Sequence, residues 1–203
     1  MIIRQNYDAI YKYGSRVYGT FRDNSDYDYI CIGKETKDTD YDNVSIHSYT
    51  LDDFKLQLVK ANISSLECFF LPEEHVIKPL DEKLNYTLEL NVLRHSISKA
   101  SDQAFNKARK KFESPYLNDN LDIETQKEDE RIRGMKSLFH SFRILDFGIQ
   151  IAKYQKIIDY SSSNHIYNEI FESNYKDWNS YNQRWKKAHN VLSTEFRKLA
   201  PKE

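Results

Sequence analysis

Two short clusters near the start of the chain have residue types and spacing that could do chemistry. Gly14-Ser15 forms the first, and after ten intervening residues Asp26-Tyr27-Asp28 forms the second. Residues two apart in a strand point to one face, so Asp26 and Asp28 would hold two carboxylates side by side. Adjacent anions repel unless a cation stands between them. Mg²⁺ (or Mn²⁺) suits that place, because hard divalent ions take oxygen ligands and are commonly shared between one or two carboxylates and substrate phosphates. A Gly-Ser turn leading into a helix start offers backbone N–H groups and a hydroxyl to an anion such as phosphate. Phosphate cradle and metal clamp together describe phosphoryl or nucleotidyl transfer, where positioning and charge neutralisation do most of the work. Either motif alone is commonplace; their order and spacing narrow the reading.

The elements that must hold these residues follow from pattern. Asp8 to Tyr13 reads as a strand stopped by Gly14-Ser15, Arg16 to Phe21 as a short helical turn, and Tyr27 to Gly33 as a second strand. Lys34 to Asp42 reads as a polar loop, and Val44 to Tyr49 alternates with period two as a half-buried strand should. Thr50 is an N-cap candidate for a helix ending near Asn62, with Phe54, Leu56, Leu58 and Val59 on its apolar side. Leu66 to Leu71 is either a fourth strand or a buried helix end, and Pro72 and Pro79 mark the exit. From about Leu88 helical spacing takes over: a helix over Leu88 to Phe112, a loop over Glu113 to Asn120, a long helix or two over Ile123 to Tyr154, and a helix from about Lys176 to Leu199. That last helix carries Trp178, Tyr181, Trp185, Val191, Leu192 and Phe196 on one stripe. The expected class is α+β: a small mixed-sheet α/β module over residues 1–85, then a helical module over 86–203 that closes a cleft.

Gly14-Ser15-Arg16-Val17-Tyr18-Gly19-Thr20 and Ser25-Asp26-Tyr27-Asp28-Tyr29, at this separation, resemble the nucleotidyltransferases of the DNA polymerase β superfamily, in particular its minimal members. The resemblance implies that the Gly14-Ser15 turn, with Arg16 beside it, holds a nucleotide's phosphates and that Asp26 and Asp28 bind Mg²⁺. It extends more thinly to a bacterial and phage branch, where Asn62 to Phe70 matches an Asn, Leu-Glu, Phe stretch with Glu67 at the Leu-Glu position, and Lys136, His140 and Arg143 match a Lys, His and Arg on one helix. At 100° per residue these three lie within about 60° of one another. They suit the triphosphate or base of a nucleotide, and equally the solvated shoulder of an amphipathic helix beside Met135, Leu138, Phe139, Phe142, Leu145 and Ile149. Lys107, Lys110 and Lys111 read as a solvated face. The superfamily usually sets a third carboxylate on the strand after the acidic pair, yet Val44-Ser45-Ile46-His47-Ser48 contains no acid. Asp42 and Glu67 are the substitutes, with Glu67 preferred as the catalytic third acid because a lone carboxylate beside Phe69-Phe70 is costly to bury without a metal or partner. Pairing with a basic side chain or a helix N-terminus would satisfy Glu67 as well.

The implied activity is Mg²⁺-dependent transfer of a nucleoside monophosphate from an NTP to an acceptor hydroxyl, on an RNA 3′ end such as tRNA or on a protein side chain. The alternatives are a degenerate nucleotide- or RNA-binding module and an antitoxin-like protein that binds a partner. Net charge of −1 disfavours binding duplex DNA through a global positive field, although residues 1–100 carry −4 and 101–203 carry +3. No apolar run nears the 18 or so residues of a membrane span and none follows Met1 to Arg4 as a signal peptide would, so the expected location is cytoplasmic, without a membrane partner. Cys31 and Cys68 read as small buried hydrophobes. Three of five glycines fall between residues 14 and 33, which marks special backbone geometry there.

Overall fold

The acid-bearing strand lies in the middle of a five-stranded mixed sheet. The computed structural model describes residues 6–113, 122–173 and 175–202. Strands β1 (Ala9–Tyr13), β2 (Tyr27–Ile32), β3 (Lys37–Tyr41), β4 (Val44–Tyr49) and β5 (Val76–Lys78) are ordered β3-β4-β2-β1-β5. β2 runs antiparallel to β1, with Tyr13 opposite Asp28, and parallel to β4, with Asp28 opposite Ser45. β3 is an antiparallel edge strand, with Asp40 opposite Ser45, inside the segment whose composition reads as a polar loop. Its sequence Lys37-Asp38-Thr39-Asp40-Tyr41 has no apolar alternation to betray a strand, and charged, exposed residues are what a free sheet edge tolerates.

Alternation assigns the two faces. Ala9, Tyr11, Ile30, Ile32 and Tyr49 face the helices and enter the main core, while Ile10, Cys31 and Ile46 form a small cluster on the other side. Both cysteines are free and buried, and burial pushes the Cys31 thiol up to about 12. Helix α1 (Ser15–Tyr18) follows β1, α2 is Leu51–Val59 and α3 is Ile63–Phe69. Thr50 caps α2 by accepting from the Asp53 N–H at 3.1 Å; Phe54 and Leu58 are buried, but Leu56 and Val59 face solvent. The Leu66 to Leu71 run is thus mostly helix: the Asn62 side chain accepts from Ser64 and Ser65 N–H and starts α3 there. Short apolar runs cannot be assigned by period alone, and the cap is the residue that decides this one.

Residues 79–89 carry no helix or strand and lead into α4 (Leu90–Glu113). The loop expected after Glu113 lies outside the described residues. α5 (Ile123–Tyr154) is a single unbroken helix, roughly 48 Å long at 1.5 Å per residue. The connection to α7 (Trp178–Leu199) contains a further helix, α6 (Asn164–Glu172), that the pattern did not suggest. In α7 Trp178, Tyr181, Trp185 and Phe196 are buried whereas Val191 is 61% exposed. Gln150 ties down the turn before α6: its Oε1 accepts from Ile158 and Asp159 N–H, and its Nε2 donates to the Asp159 carbonyl at 3.0 Å. Among the described residues no helix is long and apolar enough to cross a membrane.

One core spans the expected module boundary near residue 85. It joins Tyr11, Ile30 and Leu58 from the first part to Ile97, Leu145, Phe147 and Phe196 from the second. α5 is its axis and is buried on most sides, with Met135, Leu138, Phe139 and Phe142 in a second cluster against α4 and α7. Two glycines allow this contact: a Cβ on Gly134 would stand 2.6 Å from the Phe112 ring, and one on Gly148 would stand 2.7 Å from Ile97 Cγ2 and 3.0 Å from Phe196. Gly148→Ala is therefore expected to cost about 1–3 kcal/mol through overpacking, against the gain of about 1 kcal/mol that Gly→Ala brings at an open helical position. Urea denaturation of the two proteins gives the sign directly.

Candidate functional site

The turn and the acids form one unit. Because Tyr13 pairs with Asp28, the residue after Tyr13 lies against the Asp28 side chain, and a Cβ on Gly14 would stand 2.1 Å from Asp28 Oδ2. Gly14 also has φ 75° and ψ −156°, a conformation that side chains disfavour. Only glycine meets both demands. α1 then starts at Ser15, and Gly19, left-handed at φ 77°, turns the chain back, with Asn164 Nδ2 of α6 donating to the Tyr18 carbonyl at 2.8 Å. Arg16 does not line the cleft described below: its guanidinium donates to the carbonyls of Ser25 (2.8 Å) and Asp26 (3.3 Å) and packs 3.9 Å over the Tyr27 ring. It braces the acid-bearing segment from behind.

Asp26 is exposed just before β2, and Asp28 is half-buried within it. Burial first, and the neighbouring Asp26 second, push the Asp28 carboxyl up to about 6; Lys136 and Arg16 pull the other way without cancelling this. Asp40, one row over in β3, adds to the same negative field, and Ser45 between them donates to its Oδ1 at 2.6 Å. Sequence reasoning missed Asp40 because its strand was not recognised.

A cleft of about 690 Å³ opens over this edge of the sheet. Gly14, Ser15, Asp26 and Asp28 line one side, and Lys136, His140 and Arg143 of α5 line the other, so the structure brings those seven together. It adds Arg22, Tyr167 of α6, Asp129 and Arg133 of α5, and Lys107 of α4, which is solvent-exposed as expected and also borders the cleft. Arg22 Nε donates to the Tyr167 hydroxyl at 3.2 Å and the guanidinium stacks 4.5 Å from Phe171, fastening the loop before β2 onto α6.

Neither candidate third acid lines the cleft. Asp42 is exposed in the β3–β4 turn at φ 29°. Glu67 is 1% exposed inside α3, accepts a hydrogen bond from the Tyr18 hydroxyl, and lies 3.6 Å from the Arg143 guanidinium. Its carboxyl is raised by burial, with Arg143 and the Tyr18 hydroxyl pulling it back. The cost of burying this carboxylate is offset in part by Arg143 and the Tyr18 hydroxyl, and Glu67 does not line the cleft that holds Asp26 and Asp28. Arg143 itself is 5% exposed, lies 3.5 Å over the Tyr18 ring, and donates from Nη2 to His140 Nδ1 at 2.7 Å. A separate Ser–His contact, Ser101 with His189 at 2.9 Å, is buried among the helices, and Ser101 spends its proton on the Ser141 carbonyl.

The donor set fits a divalent cation. Asp26 and Asp28 offer only oxygen, and they stand close enough on the sheet side for Asp26 to help raise the Asp28 carboxyl, so a cation between them would relieve that repulsion. Among the described residues no three His, Cys, Asp or Glu side chains gather closely enough to cage a metal. Asp26 and Asp28 would therefore hold the ion, with phosphate oxygens and water supplying its other ligands. Comparison with family models, curated proteins and solved structures finds no match for the chain.

A raised carboxyl destabilises the fold in its charged form. The penalty is absent below the unfolded value of about 3.9, grows as pH rises, and is complete above about 6. Asp28→Asn should therefore stabilise the protein near pH 7 by about 1–2 kcal/mol once solvent access is discounted, and this gain should vanish as pH falls towards about 4. Chemical denaturation at several pH values checks it. Gly14→Ala should instead destabilise at every pH, by about 2 kcal/mol or more from combined strain and collision.

Proposed function

We propose that the protein is a Mg²⁺-dependent nucleotidyltransferase that moves a nucleoside monophosphate from an NTP to an acceptor hydroxyl. One observation carries this reading: the Gly14 backbone packs directly on Asp28, at the edge of a cleft whose opposite wall bears Lys136. A phosphate brought to the turn is thereby brought to the acids. Positively charged Lys107 and Lys136 face this position from the helices and suit the triphosphate tail. In the reaction the acceptor oxygen forms a bond to the α-phosphorus, the bond from that phosphorus to the β,γ-oxygen breaks, pyrophosphate leaves, and the hydroxyl proton passes to base or water. Bound Mg²⁺ would supply charge neutralisation at the phosphates.

The chain's own residues do the rest. Gly14 permits close backbone approach, the Ser15 hydroxyl can donate to a phosphate oxygen, and Arg16 braces the segment carrying Asp26 through the Ser25 and Asp26 carbonyls. Asp40, on the Asp28 row, adds to the field at Asp28 without lining the cleft, and the further carboxylate that does line it is Asp129 of α5. RNA 3′ ends and protein hydroxyls both remain acceptor classes, and the basic wall of Arg22, Lys107, Arg133 and Lys136 accommodates an anionic one.

A second reading, a nucleotide-binding module without turnover, is favoured by the position of Glu67, which is tied to Tyr18 and Arg143 and leaves no third carboxylate on the sheet side of the cleft, where only Asp26 and Asp28 line it. One assay separates them. With α-phosphate-labelled NTPs and RNA or protein acceptors, transfer is expected from wild type and a loss of at least about a hundredfold from Asp26→Asn or Asp28→Asn, the scale of several kcal/mol of lost charge stabilisation. Binding without transfer in any acceptor mixture selects the second reading. Absence of both defeats the first and the second together.

A further inference from the structure

His140 lines the cleft, and a single hydrogen bond fixes which of its nitrogens carries the proton. Arg143 Nη2 can only donate, so His140 Nδ1, 2.7 Å away, must accept. The ring proton therefore sits on Nε2, for which the protein supplies no acceptor among the described residues. Arg143 cannot swing away easily. It lies 5% exposed over Tyr18, its Nη2 stands 3.6 Å from Glu67 Oε1, and Glu67 is held in turn by the Tyr18 hydroxyl. The Tyr160 hydroxyl donates to the Glu67 backbone carbonyl at 2.6 Å and anchors the helix end carrying it.

Building on the nucleotide reading above, we infer that His140 presents its Nε2–H as a fixed hydrogen-bond donor to an oxygen of the bound nucleotide, with Arg143 and Glu67 as the positioning residues that hold it so. A histidine usually changes charge between about pH 5 and about pH 8. This one is kept from doing so by burial, by Arg143, and by Lys107 of α4; Lys136, Arg133 and Asp129 lie further along its own helix, and Asp26, Asp28 and Arg22 lie across the cleft. The cleft thereby gains a neutral, pH-independent donor among its cations. Such a donor selects a hydrogen-bond acceptor by position, where a lysine would attract any anion.

The test begins with the free protein. Histidine ¹⁵N spectra, with the His140 signals assigned by their loss in His140→Gln, should show a protonated Nε2 and a bare Nδ1, neither moving between about pH 5 and about pH 8. A protonated Nδ1, or titration in that range, overturns the inference. Calorimetry with each of the four NTPs and Mg²⁺ is the second arm. His140→Phe should weaken binding about tenfold, the worth of one hydrogen bond, while His140→Gln, which can place an N–H near the same point, should stay within about threefold. Glu67→Gln, which keeps an acceptor for Tyr18 but removes the charge facing Arg143, should let Nδ1 and Nε2 share the proton and should weaken the NTP by several-fold. Repeating the titration with inorganic triphosphate locates the acceptor: a loss in both ligands places it on a phosphate, and a loss in the NTP alone places it on the nucleoside. If wild type binds no NTP, the nucleotide reading fails and takes this inference with it. If wild type binds and His140→Phe binds equally well, the donor role alone fails. Should His140→Phe not fold, the spectra of wild type and the affinity of His140→Gln still decide.

Discussion

The buried guanidinium of Arg143 is the contact on which the rest of the site depends. It takes its counter-charge from Glu67 in α3, its packing surface from Tyr18 in α1, and passes a hydrogen bond to His140 in α5. Three elements far apart in sequence are thereby joined at the floor of the cleft. Desolvating such a pair is expensive, and removing one partner strands the other, typically at about 3–5 kcal/mol. This pair is accordingly a device of position more than of net stability. The turn that begins at Gly14 cannot shift relative to α5 without disturbing it.

From that node the cleft acquires its asymmetry. The sheet brings carboxylates, because Asp26 just before β2 and Asp28 within it continue the alternation that buries Ile30 and Ile32. The helices bring cations, from α4 and α5. A core shared across both halves keeps the two walls at a fixed separation, since Ile30 and Leu58 pack into the same cluster as Leu145 and Phe196. Charge complementarity is thus built in before any ligand arrives, which is the condition under which electrostatic stabilisation costs no reorganisation.

Much of this was legible in the sequence, for reasons that differ by residue. The α+β class, strands β1, β2 and β4, and the three long helices of the second half follow from pattern, whereas the packing of Gly14 on Asp28 needs the register of β1 on β2. β3 was invisible because an edge strand with both faces wet has no hydrophobic alternation, and Asp40 was hidden with it. α3 was ambiguous until Asn62 is seen to cap it. Glu67 could not be placed because its partner Arg143 is 76 positions away and only the packed core brings them together. Lys107 is solvent-exposed as its helix face suggests, and only the facing layer shows that it also borders the cleft. Arg16 looked like a phosphate ligand by adjacency, but side-chain direction sent it to two carbonyls behind the acids.

The exposed edge strand has a consequence for traffic. Asp40 on β3 extends the negative field of Asp28 outward along the sheet, while Arg22, Lys107, Arg133 and Lys136 line the cleft around it. A large anion drifting towards the cleft meets repulsion on the sheet side and attraction on the helical side, so its path of arrival is set before contact, and steeply so at low salt. A small cation feels the opposite slope.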